Sequence, residues 1–215
     1  MDTPITIVIA TRNQNKTLEI RDLLKDFPIT IKNLDDFGPI PEVEEDGETF
    51  DDNAYKKASF TARVLGVPAL ADDSGLCVEA LNGAPGVFSA RYAGENVTDP
   101  ENCALLLKNL KGIENRNASF KCVISLAIPT GAALTYDGSC DGVIIDEPRG
   151  SNGFGYDPLF FFPEFGKTFA QLSREEKSHV SHRGKALREF REEFDKIIKW
   201  LDLQMPVEEK FACKE

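Results

Sequence analysis

A charge-free apolar run opens the chain, and it restricts the fold more than any other segment. Thr6–Ala10 reads Thr-Ile-Val-Ile-Ala, a buried strand. Asn15–Phe27 follows as a helix with Leu18, Leu23, Leu24 and Phe27 on its apolar face, and Ile29–Leu34 as a second strand. A helix over 51–65 sets Ala54, Ala58 and Ala62 at i, i+4, i+8, which suits close packing. Residues 67–81 read as two short strands around an Asp72-Asp73-Ser74-Gly75 turn, because carboxylates disfavour strand interiors and Ser-Gly favours turns. Asp99–Leu110 reads as a helix with Asp99 as N-cap and Pro100 at the first position. Ser119–Ile128 and Ala132–Ile145 form an antiparallel hairpin about Pro129-Thr130-Gly131. Ser173–Lys177 starts a short helix. Ser181 caps a long one over His182–Asp202, with a stripe of Ala186, Phe190, Phe194, Ile197, Ile198 and Leu201. Early βα units, a hairpin and late helices predict an α/β or α+β fold with a mixed sheet.

The 215 residues suffice for a sizeable core. No apolar run approaches the ~18 residues a membrane span needs. Ile5–Ala10 lacks both a basic flank and a small-residue cleavage site, so a cytoplasmic protein away from membranes is expected. Five cysteines without a C-x-x-C pair argue against a disulfide framework and a structural zinc site, and two histidines exclude a His-rich metal site. The net charge of −11 repels polymeric nucleic acid, while leaving room for a small anion where basic residues converge.

Five segments carry candidate chemistry. Asp72-Asp73 at the end of a strand satisfies a solvated turn or a hard cation such as Mg²⁺, which binds through one or two carboxylates plus phosphate oxygens. Thr11-Arg12-Asn13-Gln14-Asn15-Lys16 joins a strand to a helix N-terminus. There free N–H groups, Lys16 and the polar side chains suit a phosphate, although the loop lacks the Walker A glycines. The acidic stretch Glu42–Glu48 is a solvated loop or the source of a second metal ligand. Gly153-Phe154-Gly155-Tyr156-Asp157-Pro158 is a tight turn or an aromatic platform beside a carboxylate, suited to a nucleobase. Lys177, His179, His182 and Arg183 gather four potential cations at a helix junction.

In combination these segments resemble the Ham1/inosine triphosphate pyrophosphatase family, in its bacterial form. The likeness runs in order through Ala10–Lys16, Glu45–Phe50, Asn53–Ala58, Ala71–Leu76, Gly83–Tyr92, Gly153–Pro158 and Ser181–Gly184, and covers residues ~5–200. It implies hydrolysis of the deaminated purine nucleotides ITP, dITP and XTP to monophosphate and pyrophosphate with Mg²⁺, cleansing the nucleotide pool. It also implies an elongated two-lobed fold with a long mixed twisted sheet flanked by helices, a cleft between the lobes, and a homodimer. By motif position, Asp73 would be metal ligand and general base, and Thr11, Arg12, Asn13, Gln14, Asn15, Lys16 and Lys57 would meet the phosphates. Ser74 would contact substrate. Phe154, Gly155, Tyr156 and Asp157 would surround the base, with Lys177, His182 and Arg183 completing the pocket. Glu45 is the favoured second metal ligand, with Glu42 or Glu44 as alternatives. Arg12 stands where many relatives carry glycine. Residues 1–203 would form the single catalytic domain, with 204–215 a polar tail. Two other readings stay open: a pyrophosphatase for another modified nucleotide, and a nucleotide-binding protein without turnover.

Overall fold

A computed structural model describes residues 5–205. Cys213 and all but the first two residues of the expected tail lie outside them. A single seven-stranded sheet organises the chain. Strand β1 (Ile5–Ile9) is followed by helix α1 (Gln14–Leu24) and strand β2 (Ile29–Asn33), and β1 and β2 pair in parallel, as a helical crossover requires. A 3₁₀ turn (Leu34–Phe37) and the irregular residues 39–47 lead to helix α2 (Phe50–Leu65). Strand β3 (Ala69–Val78) returns beside β1, also in parallel. After helix α3 (Asp99–Asn109), β4 (Asn117–Ala127) and β5 (Ala133–Ile144) form the expected hairpin. Strands β6 (Phe160–Phe162) and β7 (Lys167–Thr168) extend the antiparallel side, giving the order β2-β1-β3-β4-β5-β6-β7. Helices α4 (Arg174–Val180), α5 (His182–Glu192) and α6 (Phe194–Gln204) close the described chain.

Three apolar clusters follow from this arrangement. Ile7, Ile9 and Leu70 meet Ile20 and Leu24 of α1 and Leu187, Phe190 and Ile197 of α5 and α6 on one face of the sheet. Ala58 and Ala62 of α2 meet Val8, Ala69, Ala71 and Ala127 on the other. Ala54, Ala58 and Ala62 are fully buried, so the small-residue spacing does bring α2 close to the sheet. A third cluster, with Leu76, Phe120, Phe160 and Phe169, surrounds the antiparallel end.

Three local expectations are corrected. Residues 67–81 hold no turn at Asp72-Asp73-Ser74-Gly75. β3 runs unbroken, and Asp72 to Gly75 register against Ile124 to Lys121 of β4. The carboxylates are tolerated because cations meet them on each side of the sheet. Gly75 is required by contact, not by a turn, since a Cβ there would collide with Gly86 O and Ser89 Oγ. The helix expected over His182–Asp202 is two helices, breaking at Glu193 (φ −95°, ψ 5°). An apolar stripe of period 3.6 reports which face is buried, not whether the axis keeps its direction. Finally, Thr98 rather than Asp99 caps α3, which leaves the Asp99 carboxylate free for the site.

Candidate active site

Successive residues of a strand point to opposite faces, and β3 uses this to separate its two aspartates. Asp72 shares the face of Leu70 and turns toward α1 and α5. Asp73 shares the face of Ala69 and Ala71 and turns toward α2. Arg183 Nε and Nη2 donate to Asp72 Oδ2 at 3.2 and 2.8 Å, Lys16 Nζ lies 3.1 Å away, and the Ser74 hydroxyl donates to the same oxygen at 3.2 Å. Burial penalises the Asp72 carboxylate, but Lys16, Arg183 and Lys57 outweigh it and hold it well below the usual carboxylate range. Arg183 is 1% exposed and also pairs with Glu19, so its cation is strongly retained. Gly138 makes this possible: a Cβ there would strike His182 O, so glycine lets the start of α5 approach β5.

On the other face, Lys57 Nζ sits 3.0 Å from Asp73 Oδ1 and 2.9 Å from Glu45 Oε2. Asn53 Nδ2, one helical turn before Lys57, donates to Asp73 Oδ2 at 3.3 Å. Burial raises the Asp73 carboxyl above its ordinary value against the pull of Lys57 and Lys16. The oxygens of Glu45 and Asp73 therefore converge on one cationic point. Glu42 is 83% exposed and lies 3.6 Å from Arg12, and Glu44 is exposed. Among the described residues no group of three or more His, Cys, Asp or Glu gathers as a metal cage. Two hard carboxylates beside a phosphate-sized space nevertheless fit Mg²⁺, which completes its shell with water and phosphate oxygens.

A cavity of about 440 Å³ lies over Asp73. Thr11, Arg12, Asn13 and Lys16 line one end, where the Asn13 side chain accepts the Asn15 and Lys16 amides and caps α1. Gln14 and Asn15 are exposed and do not reach the cavity, which corrects their expected place among the phosphate contacts: they fall on the outer side of the first helical turn. Lys57, also expected at phosphate, is engaged by two carboxylates, and Ser74 Oγ accepts from Arg183 at 2.9 Å.

Phe154, Gly155, Tyr156 and Asp157 line the same cavity with Lys177, His182 and Arg183, whose guanidinium shares the Asp72 oxygen with Lys16. Lys177 Nζ is 4.7 Å from the Phe154 ring centre and 2.6 Å from Asp157 Oδ2, which also accepts the Phe154 amide. Burial raises Asp157 despite that partner. Tyr156 is buried and donates to Ser89 O, so it braces the wall. His182 stacks on Phe120 at 4.8 Å with 12° between planes, and its Nδ1 has no partner. His179, on the preceding helix, is not among the residues lining the cavity.

The sequence pattern missed three contributors. Glu19 lies one turn after Lys16 and ties α1 to Lys177 and Arg183; its spacing from Lys16 was the available signal. Asp99 Oδ2 accepts the Gly155 amide at 2.6 Å with no local signal, and Arg91 Nη2 donates to Glu45 O at 2.9 Å; Arg91 falls in the Gly83–Tyr92 segment, which marked the residue but not its partner.

Burial first, then Arg183 and Lys177, push the His182 imidazole well below 6.5, so it stays neutral when folded. The unfolded chain takes up that proton below 6.5 and the folded chain does not, so stability falls as pH falls through this window. Between pH 6.5 and 5, His182 is expected to cost at most about 2 kcal/mol of stability. Denaturant unfolding at both values checks this: in His182→Gln the difference shrinks by about that amount, and an unchanged difference refutes it. The stabilising pull on Asp72 is lost only below 3.8, outside this window.

Residues 7–193 match the Ham1 family. A dITP/XTP pyrophosphatase of Desulfotalea psychrophila is 62% identical over 202 residues, covering 94% of this chain and 91% of that protein. One from Syntrophobacter fumaroxidans is 60% identical over 195 residues, covering 91% and 84%. Among solved structures, a HAM1 protein from Coxiella burnetii matches with a TM-score of 0.84 at 45% identity, covering 89% of this chain and 99% of that one. The Staphylococcus aureus Ham1 protein matches at 0.81 and 42% identity, with coverage of 89% and 99%.

Proposed function

The chain belongs to the Ham1 family, and we propose that it hydrolyses dITP, ITP and XTP to the monophosphate and pyrophosphate, clearing deaminated purine nucleotides. One observation carries the reading: a single cavity joins a cationic loop end, an acidic pair at Asp73 and Glu45, and an aromatic end at Phe154. These suit, in order, a triphosphate, its scission and a base.

Asp73 is the general base. Its carboxylate accepts a proton from a water that attacks the α-phosphorus, and pyrophosphate departs with the electrons of the broken P–O bond. Glu45 and Asp73 would hold Mg²⁺, which supplies charge neutralisation at the phosphates. Lys16 and the Thr11–Asn13 backbone bind the phosphate chain, and the Phe154 face packs on the base. Donors from His182 or Arg183, which both line the cavity, pair with a 6-keto oxygen and oppose a 6-amino group. A mismatched buried polar pair costs about 1–3 kcal/mol, enough to disfavour adenine nucleotides by ~10–100-fold.

Pyrophosphate release from ITP, dITP, XTP, dATP, dGTP, dUTP and modified-base triphosphates tests the proposal. Turnover with ITP and XTP that requires added Mg²⁺ is expected. Absence of release from both, with calorimetric binding of ITP intact, overturns it in favour of a non-catalytic binder.

A further inference from the structure

We propose that Arg12 is a positioning residue that latches the Glu45-bearing loop over the cavity, and not a phosphate ligand. The inference rests on the reading of Glu45 as a metal ligand for its kinetic consequence, though not for its structural one. Residues 39–47 have no regular secondary structure. Their carbonyls and amides are tied to the rest of the chain by side chains. Arg12 Nη2 donates to Ile40 O at 2.7 Å, Arg91 Nη2 donates to Glu45 O at 2.9 Å, and Gly47 N donates to Asn53 Oδ1 at 2.8 Å. The loop is thus pinned at both ends by arginines, one from the phosphate loop and one from the 3₁₀ segment Gly86–Arg91.

Both polar contacts of the Arg12 side chain among the described residues fall on this loop: the Ile40 carbonyl, and Glu42 at 3.6 Å. The second is an exposed ion pair and adds little. The first is a charge-assisted bond to the backbone of a residue that is itself 8% exposed. It holds the backbone five residues before Glu45. Without it, that end of the loop is free to swing, and the position of Glu45 rests on Arg91 and Lys57 alone. A guanidinium is required because its planar donors reach a carbonyl while its charge faces Glu42, which a glycine cannot do.

The test uses the full-length protein free of nucleotide and metal. Endoproteinase Glu-C cuts after glutamate, and Glu42, Glu44 and Glu45 lie in this segment. In Arg12→Ala, initial cleavage at these bonds is expected to rise at least about fivefold with the thermal midpoint held, because local opening governs cutting. In the turnover assay, the Mg²⁺ concentration for half-maximal rate rises about fivefold or more. Unchanged cleavage overturns the latch. A raised KM for ITP at saturating Mg²⁺ with unchanged Mg²⁺ dependence identifies a phosphate ligand instead and also overturns it. Failure of the parent enzyme to turn over any substrate would refute the proposed function while leaving the cleavage result to decide the latch.

Discussion

Asp73→Asn is expected to lose at least about three orders of magnitude in kcat/KM, roughly 4 kcal/mol of transition-state stabilisation. Asparagine keeps the size of the side chain and its contact with Asn53, and it leaves Lys57 paired with Glu45, so the fold is retained. It removes the proton acceptor and one of the two carboxylates converging on Lys57. The thermal midpoint, measured beside pyrophosphate release, separates chemistry from folding. A folded variant with near-normal turnover would remove Asp73 from both proposed roles.

Asp72→Ala is expected to cost about 3–5 kcal/mol of stability, because truncation strips buried cations of their shared partner. Arg183 loses its two hydrogen bonds to Asp72 and keeps only Glu19 and Ser74, and Lys16 loses the carboxylate 3.1 Å away. Against a typical total of about 5–15 kcal/mol this is a large fraction, and a fall of about 10 °C in the thermal midpoint is expected for a chain this size. Denaturant unfolding measures it directly. Asp72→Asn, which keeps an oxygen for Arg183 but not the charge, falls between. A loss below about 1 kcal/mol in the alanine variant would show that the cluster is not what holds α1 and α5 to the sheet. The two neighbouring aspartates thus predict different phenotypes: loss of turnover with the fold kept at 73, and loss of stability at 72.

Much of this protein is legible along the chain. Charge-free and alternating runs mark the strands, and Ala54, Ala58 and Ala62 mark the helix face that packs closely. The ordered motifs identify the family and hold about two thirds of the residues that line the cavity, while Leu34, Ile40, Thr61 and Phe120 among others fall outside them. The failures have physical causes. Asp72-Asp73 read as a turn because two carboxylates inside a strand are unfavourable unless cations meet them. Those cations arrive from Arg183, 111 residues along the chain, and from Lys57, 16 residues before Asp73. Gln14 and Asn15 sit within a phosphate-binding pattern, but helical rotation decides which of its side chains face the cavity. Asp99 and Arg91 act on backbone groups 56 and 46 residues away, and no local pattern encodes such a contact.

The sequence by itself determined the element types, the family and the chemistry available, because apolar periodicity and residue identity are local properties. Only the tertiary structure decided how Asp72 and Asp73 divide their work. A strand sends neighbouring side chains to opposite faces, and what each one meets depends on the helices packed there: α1 and α5 bring the cations that bury Asp72, and α2 brings Lys57 and leaves Asp73 open to the cavity.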